Sequence, residues 1–92
     1  MAFIYILQCA DATFYVGHTE TLALREQTHN EGKGARYTAA RRPVRMVYAE
    51  EHSSTGSAIA RERQLKGWTH KKKEALVRGD TPALRALARR CS

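Results

Sequence analysis

The strongest constraint on this chain sits at its N-terminus, where Ala2 to Cys9 alternates like a strand yet is apolar on both faces. Phe3, Tyr5, Leu7 and Cys9 fall on one side and Ile4, Ile6 and Gln8 on the other. A strand of this kind must be central and covered by helices on both sides. Ala10-Asp11-Ala12 then makes a short turn, and Thr13 to Gly17 forms a second strand with Phe14 and Val16 on one face and Tyr15 and Gly17 on the other. A hairpin is the natural connection, and it brings Tyr5 and Tyr15 together if their phenols share a face.

After Gly17 the pattern changes to that of a helix. Thr19 or Thr21 can cap it, Glu20 suits its positive end, and the Gly32-Lys33-Gly34 segment stops it. Along it Leu22, Arg25 and His29 share one stripe at i, i+3 and i+7. An unpaired guanidinium is costly to bury, so this face is expected to line a cleft, the alternative being that both polar groups are simply solvated. Residues 33–43 read as a basic loop with one aromatic, and Val44 to Glu51 as a third strand with Val44, Met46 and Tyr48 facing one way and Val47 and Ala49 the other. A second helix is expected from Ser57 to Trp68. There Glu62 lies between Ala58 and Leu65 on the inner stripe, where an ordinary helix carries a leucine. Arg61 and Gln64 read as solvated, His52 and His70 as surface residues, Cys9 as a small buried apolar side chain and Trp68 as core. Thr69 starts a short helix ending at Gly79, and Thr81-Pro82 starts a last one with Leu84, Leu87 and Ala88 inside.

At 92 residues the chain holds one modest core, so a single domain spanning 1–92 is expected. No run approaches the ~18 apolar residues a membrane span needs. The N-terminus lacks a basic leader, and two distant cysteines without a Cys-x-x-Cys argue against a disulfide framework, so a reducing cytoplasm fits best. The net charge of +7 is unevenly spread. Residues 1–32 carry Arg25 alone against four acids, net −3, while residues 33–92 carry fifteen Lys/Arg against five acids, net +10. Such a block favours a polyanionic partner, nucleic acid before acidic lipid.

Ile4-Tyr5-Ile6, then Tyr15-Val16-Gly17, Arg25, His29 and Glu62 resemble the GIY-YIG nuclease domain, and most of all its small single-domain bacterial YhbQ-like (UPF0213) group. The likeness extends through Gly32 to Thr38, Arg41 to Val44 and Arg61 to Trp68. It departs at Phe3, where the first motif usually begins with glycine, and at Ala12, where a glycine often makes the hairpin turn. The resemblance implies an α/β (α+β) fold, a small three-stranded antiparallel sheet flanked by helices, acting as an endonuclease on DNA phosphodiester bonds in repair or recombination with one divalent metal, Mg²⁺ or Mn²⁺. It places the metal on Glu62, the attacking water between Tyr5 and Tyr15, and the scissile phosphate on Arg25, with His18 and His29 as auxiliary polar groups.

That chemistry is coherent. Arg25 offers a bidentate fork for developing phosphate charge, and Glu62 is the hard oxygen donor that a divalent cation needs. A phenol at its ordinary pKa of about 10 is too weak a base, but a guanidinium and a metal would lower that value. Lys33, Arg36, Tyr37, Arg41, Arg42, Lys66, Lys71, Lys72 and Lys73 are the expected nucleic-acid contacts, with branched or single-stranded DNA, or RNA, as candidate forms. The alternative is a nucleic-acid-binding module of the same fold that cleaves slowly or not at all. In that case Tyr5 and Tyr15 are core residues and Glu62 pairs with Arg25 or Lys66 in a structural ion pair.

Overall fold

The computed structural model describes residues 2–79, so the expected last helix after Pro82 and Cys91 lie outside the described residues. Three strands, β1 (Ala2–Gln8), β2 (Phe14–Thr19) and β3 (Arg45–His52), form an antiparallel sheet in the order β2-β1-β3. The doubly apolar strand is the central one, as its pattern requires. One face packs Ala2, Ile4, Ile6 and Val16 against Ala58 and Leu65 of α3 (Thr55–Lys66), with Leu76 and Val77 of α4 (His70–Arg78) and Trp68 closing the side. The other face gathers Tyr5, Leu7, Cys9 and Val44, with Tyr15, Leu22 and Met46 packed around them. It is covered by the segment holding a 3₁₀ turn at Leu22–Leu24, α1 (Arg25–Asn30) and α2 (Arg36–Ala39). Ile4, Ile6, Leu7 and Leu65 are fully buried, and each such side chain contributes about 1.5–3 kcal/mol of transfer free energy.

Three sequence expectations change. Met46 and Tyr48 do not share a face, because Ile6 pairs with Tyr48 and Leu7 with Met46, leaving Val47 as a bulge. The extra residue reverses the alternation, so Tyr48 packs on the α3 side and Met46 on the other. The basic loop contains a short helix, α2, at Arg36–Ala39. The first helix is a 3₁₀ turn followed by six residues of α1, and no side chain caps either piece.

Local polar groups fix where β3 begins. The Asn30 side-chain amide donates to the Val44 carbonyl (2.9 Å) and accepts from the Val44 N–H (2.7 Å), acting as one more rung beside the strand. Glu26 accepts from the Met46 N–H at 2.6 Å. Arg42 donates to the carbonyls of Ala39 and Asn30, binding α2 to the end of α1. At the other helix pair, Ser54 and Thr69 cap α3 and α4 by accepting from the Ser57 and Lys72 N–H groups.

The hairpin turn carries a strain the sequence announced. Ala12 sits at φ 68°, the left-handed region that alanine enters at a cost of roughly 1–2 kcal/mol. Ala12→Gly relieves this but gives the unfolded chain more freedom. A net gain of up to about 1 kcal/mol is expected in denaturant unfolding, and a loss of stability would show that the turn's conformation is not the controlling term.

Candidate active site

β1 and β2 deliver two tyrosines to the face covered by α1. Tyr5 is only 1% exposed, and its hydroxyl is held between Arg25 and His29. Arg25 Nε–H donates to the phenol oxygen at 3.1 Å, and the phenol lies 2.8 Å from His29 Nε2. His29 is fully buried, and its other ring nitrogen, Nδ1, is 2.7 Å from the Thr38 hydroxyl of α2. The Tyr15 ring lies against the same imidazole, 5.3 Å between centroids, and is itself half-buried. The chain gives these rings room with two glycines. A Cβ at Gly17 would stand 2.5 Å from the Tyr5 hydroxyl, and one at Gly34 would run into the His29 ring.

The two polar groups of this stripe therefore differ: Arg25 is half-buried, whereas His29 neither lines a cleft nor meets solvent. His29 is part of the interior, and the cost of burying it is offset by hydrogen bonds at both nitrogens. No buried side-chain nitrogen or oxygen among the described residues lacks a partner.

The electrostatics follow from this enclosure. Burial pushes the Tyr5 phenol above its usual value, the Arg25 hydrogen bond and charge pull it down, and Tyr15 and Glu62 push it up again. Burial prevails, so the expected lowering by the guanidinium does not hold for Tyr5, which stays protonated as a hydrogen-bond donor. His29 is held below the ordinary 6.5 by burial and then by the positive charge of Arg25. A histidine kept neutral in the fold gains a proton on unfolding in the interval below 6.5, so acidification through that interval removes stability. We expect the melting temperature to fall as the pH drops through about 6.5 and the fall to flatten below the folded value. His29→Gln should show a shallower slope in this window, and an unchanged slope would exclude His29 as its source.

Glu62 approaches from α3, from the other side of the edge strand β2. Its Oε2 accepts from His18 Nδ1 at 2.8 Å, and Lys66 Nζ lies 3.3 Å from Oε1. The carboxylate is largely buried, with 13% of its side chain exposed, and its charge reaches the Tyr5 phenol. The structure thus brings Tyr5, Tyr15, Arg25, His29, His18 and Glu62 into one neighbourhood around the end of β2. Glu62 lies on the inner stripe that its spacing indicated.

No group of three or more His, Cys, Asp or Glu side chains is placed to hold a metal among the described residues. One carboxylate suits Mg²⁺ or Mn²⁺ only where water and substrate phosphate complete the shell, as is common for these ions. The donor chemistry fits on those terms, Glu62 being the carboxylate that would supply the protein's oxygen.

The expected nucleic-acid contacts are less uniform. Lys33, Arg36 and Lys71 are exposed. Arg41 is committed to Asp11 (3.0 Å), the Tyr37 carbonyl (3.1 Å) and the Tyr37 ring (3.9 Å), while Tyr37 also stacks beside Tyr15 at 6.0 Å. Lys72 sits over the Trp68 ring at 4.2 Å, and burial draws the half-buried Lys73 below its ordinary pKa. Lys66 pairs with Glu62. His70 stacks on Phe14.

Sequence reading missed a second polar network. Glu50 accepts from Tyr48 (2.5 Å), His52 (2.8 Å) and Arg61 (2.9 Å), and His52 Nδ1 reaches Ser57 at 2.8 Å. His52 is therefore no surface residue and Arg61 is not solvated; together they pin β3 to α3. Burial and Glu50 push the Tyr48 phenol up to about 12, while its three donors hold Glu50 below the ordinary carboxylate value despite burial. Thr38, also missed, sat in what read as a loop.

Residues 1–75 match the model of the GIY-YIG catalytic domain. The chain belongs to that family, a nuclease fold whose members generally use divalent metals and act on nucleic acid. It is similar to a UPF0213 protein of Bacillus pumilus, 45% identical over 75 residues, 82% of this chain and 76% of the relative. A UPF0213 protein of Staphylococcus aureus is 40% identical over 76 residues, 83% of this chain and 93% of the relative. The solution NMR structure of the UPF0213 protein BH0048 from Bacillus halodurans matches with a TM-score of 0.56 and 35% identity, covering 94% of each chain. The three-stranded antiparallel α/β architecture is shared with that neighbour. No helix of the described residues is long and apolar enough to cross a membrane.

Proposed function

We propose that this protein is a metal-dependent endonuclease that hydrolyses DNA phosphodiester bonds in the cytoplasm, in repair or recombination. The observation that carries the reading is the convergence of Arg25 on the Tyr5 hydroxyl, with the Glu62 carboxylate close enough to act on the same phenol. The Arg25 terminal nitrogens make no hydrogen bond to described residues, so they are available as a fork for a phosphate. Tyr5 is sealed from solvent, which leaves the half-buried Tyr15 as the phenol that can meet an attacking water. Tyr15, as the phenolate, takes a proton from the water whose oxygen bonds to phosphorus. The P–O bond to the leaving nucleotide breaks and its oxygen takes a proton from solvent, and Arg25 stabilises the charge growing on the phosphoryl oxygens. Glu62 would hold a divalent ion, which would supply Lewis-acid stabilisation of that charge. His18 orients the carboxylate through its 2.8 Å bond.

The Lys66–Glu62 pair favours the second reading, a binding module whose carboxylate has a structural partner. Lys66 has 53% of its side chain exposed, and ion pairs of that kind contribute only about 0–1 kcal/mol. Lys66 would give way to a cation on Glu62 at little cost, so we place the binding module second.

The test is incubation of the protein with nicked, flapped, branched and single-stranded DNA, and with RNA, in Mg²⁺ or Mn²⁺, beside binding measured at several salt concentrations. Cleavage that needs the metal is expected. Affinity should fall steeply with salt, since the basic block at 33–92 binds chiefly phosphate. Affinity indifferent to salt would remove the phosphate-dominated surface from this picture, and binding without metal-dependent cutting would select the second reading.

A further inference from the structure

The proton positions around His29 can be worked out from both ends of its hydrogen-bond chain. At one end, the Tyr5 hydroxyl lies 3.1 Å from Arg25 Nε and 2.8 Å from His29 Nε2. Arg25 only donates, so the phenol's own proton has one acceptor, His29 Nε2. At the other end, the Thr38 hydroxyl donates to the Ala35 carbonyl at 3.1 Å and lies 2.7 Å from His29 Nδ1. Its proton being spent on Ala35, Thr38 accepts from Nδ1–H. Both inventories require the same neutral imidazole, protonated at Nδ1 and open at Nε2.

We propose that Thr38 is a positioning residue for the candidate active site: by accepting from His29 Nδ1–H it fixes the tautomer that turns the Tyr5 hydroxyl toward His29 and leaves its oxygen free to hold Arg25. The opposite tautomer would donate from Nε2 to the phenol oxygen. That oxygen would then face two donors, and its proton would be left without a partner in a site that is 1% exposed. The cost of burying that orphan would loosen the Tyr5–Arg25 bond. Thr38 and His29 are both fully buried, so no solvent competes for the arrangement. Tyr15, against the ring, and Arg25, whose charge favours the neutral imidazole, are the other titratable groups facing His29. α2 is four residues long and contributes this one buried polar side chain, which gives the short helix a purpose beyond packing.

The effect on cutting rests on the endonuclease reading, but the tautomer does not, so the test has two parts. Nitrogen-15 NMR of the imidazoles in the metal-free, unliganded protein should find His29 protonated at Nδ1 and not at Nε2 near neutral pH. Thr38→Val keeps the side-chain shape and removes the acceptor, and should move proton occupancy toward Nε2. Thr38→Ser should restore the wild-type pattern. In the cleavage assay the valine variant should lose roughly ten- to a hundredfold in rate, with serine recovering most of it. A wild-type His29 carrying its proton on Nε2 would overturn the proposal without any variant, even if Thr38→Val failed to fold. So would a valine variant with unchanged tautomer and unchanged cutting. If the tautomer responds as described and neither protein cuts any nucleic acid, the positioning role stands and the endonuclease reading falls.

Discussion

Glu62→Gln is expected to abolish cleavage, by at least about 10²–10³-fold, while the protein stays folded and binds DNA as well as before or better. The substitution keeps the shape of the side chain and one carbonyl oxygen, so the contact with His18 Nδ1 at 2.8 Å survives. What it removes is the charge that would hold a divalent ion. One negative charge near the phosphate path also disappears, which accounts for equal or tighter binding. Stability should change by less than about 1 kcal/mol, because the Lys66 partner is mostly in solvent and such pairs contribute little. If the carboxylate were instead half of a structural pair, the variant would lose about 1–3 kcal/mol and retain cutting in proportion to folded protein. Cleavage, affinity and melting temperature on this single variant separate the two. A protein that melts early and still cuts DNA would remove Glu62 from the metal site.

Much of the fold was legible because its central element is unambiguous. Ala2 to Gln8 is apolar on both faces, so it must be covered twice, and once it is central the hairpin to β2 and a two-sided helical cover follow. Glu62 was legible for a similar reason: Ala58 and Leu65 are fully buried on the same stripe, and a carboxylate between them needs a partner.

What escaped depends on single residues or on distant pairs. In Met46-Val47-Tyr48 every residue is apolar, so the pattern cannot show which of them is the bulge. One inserted residue sends Tyr48 to the opposite face, next to Glu50, and creates the network with His52 and Arg61. The Arg61–Glu50 bond joins residues eleven apart in different elements, and nothing local signals it. α2 has four residues, less than the two turns that periodicity needs. Without it Thr38 read as a loop residue and His29 had no visible second partner, so a stripe with a histidine suggested a cleft. The guanidinium on that stripe is not unpaired. The partner is the Tyr5 oxygen, contributed by the strand itself.

Arg25→Ala should cost cleavage about as much as the loss of Glu62's charge, roughly 10²–10³-fold, and it should leave a signature that a general loss of structure would not. Arg25 opposes the rise of the Tyr5 phenol, so its removal lets burial, Tyr15 and Glu62 push that group higher still. It also helps to hold His29 below 6.5, so without it the imidazole moves back toward the ordinary value, with burial alone resisting. The two changes share one cause and one direction, since both groups hold a proton more tightly once the positive charge is gone: the phenol becomes harder to ionise and the imidazole easier to protonate. The sign for stability is fixed by the second. A smaller gap between the folded and unfolded His29 values narrows the pH interval over which acidification removes stability, so the variant's melting temperature should depend less on pH below about 6.5 than the wild type's. Arg25→Lys should recover this electrostatic effect in part, since it keeps the charge. It should recover cleavage poorly, since an ammonium has neither the Nε–H that reaches Tyr5 nor the two-pronged fork for a phosphate. Equal cutting by the lysine variant and the wild type would mean that charge alone is used here and that the Tyr5–Arg25 bond has no part in holding the phosphate.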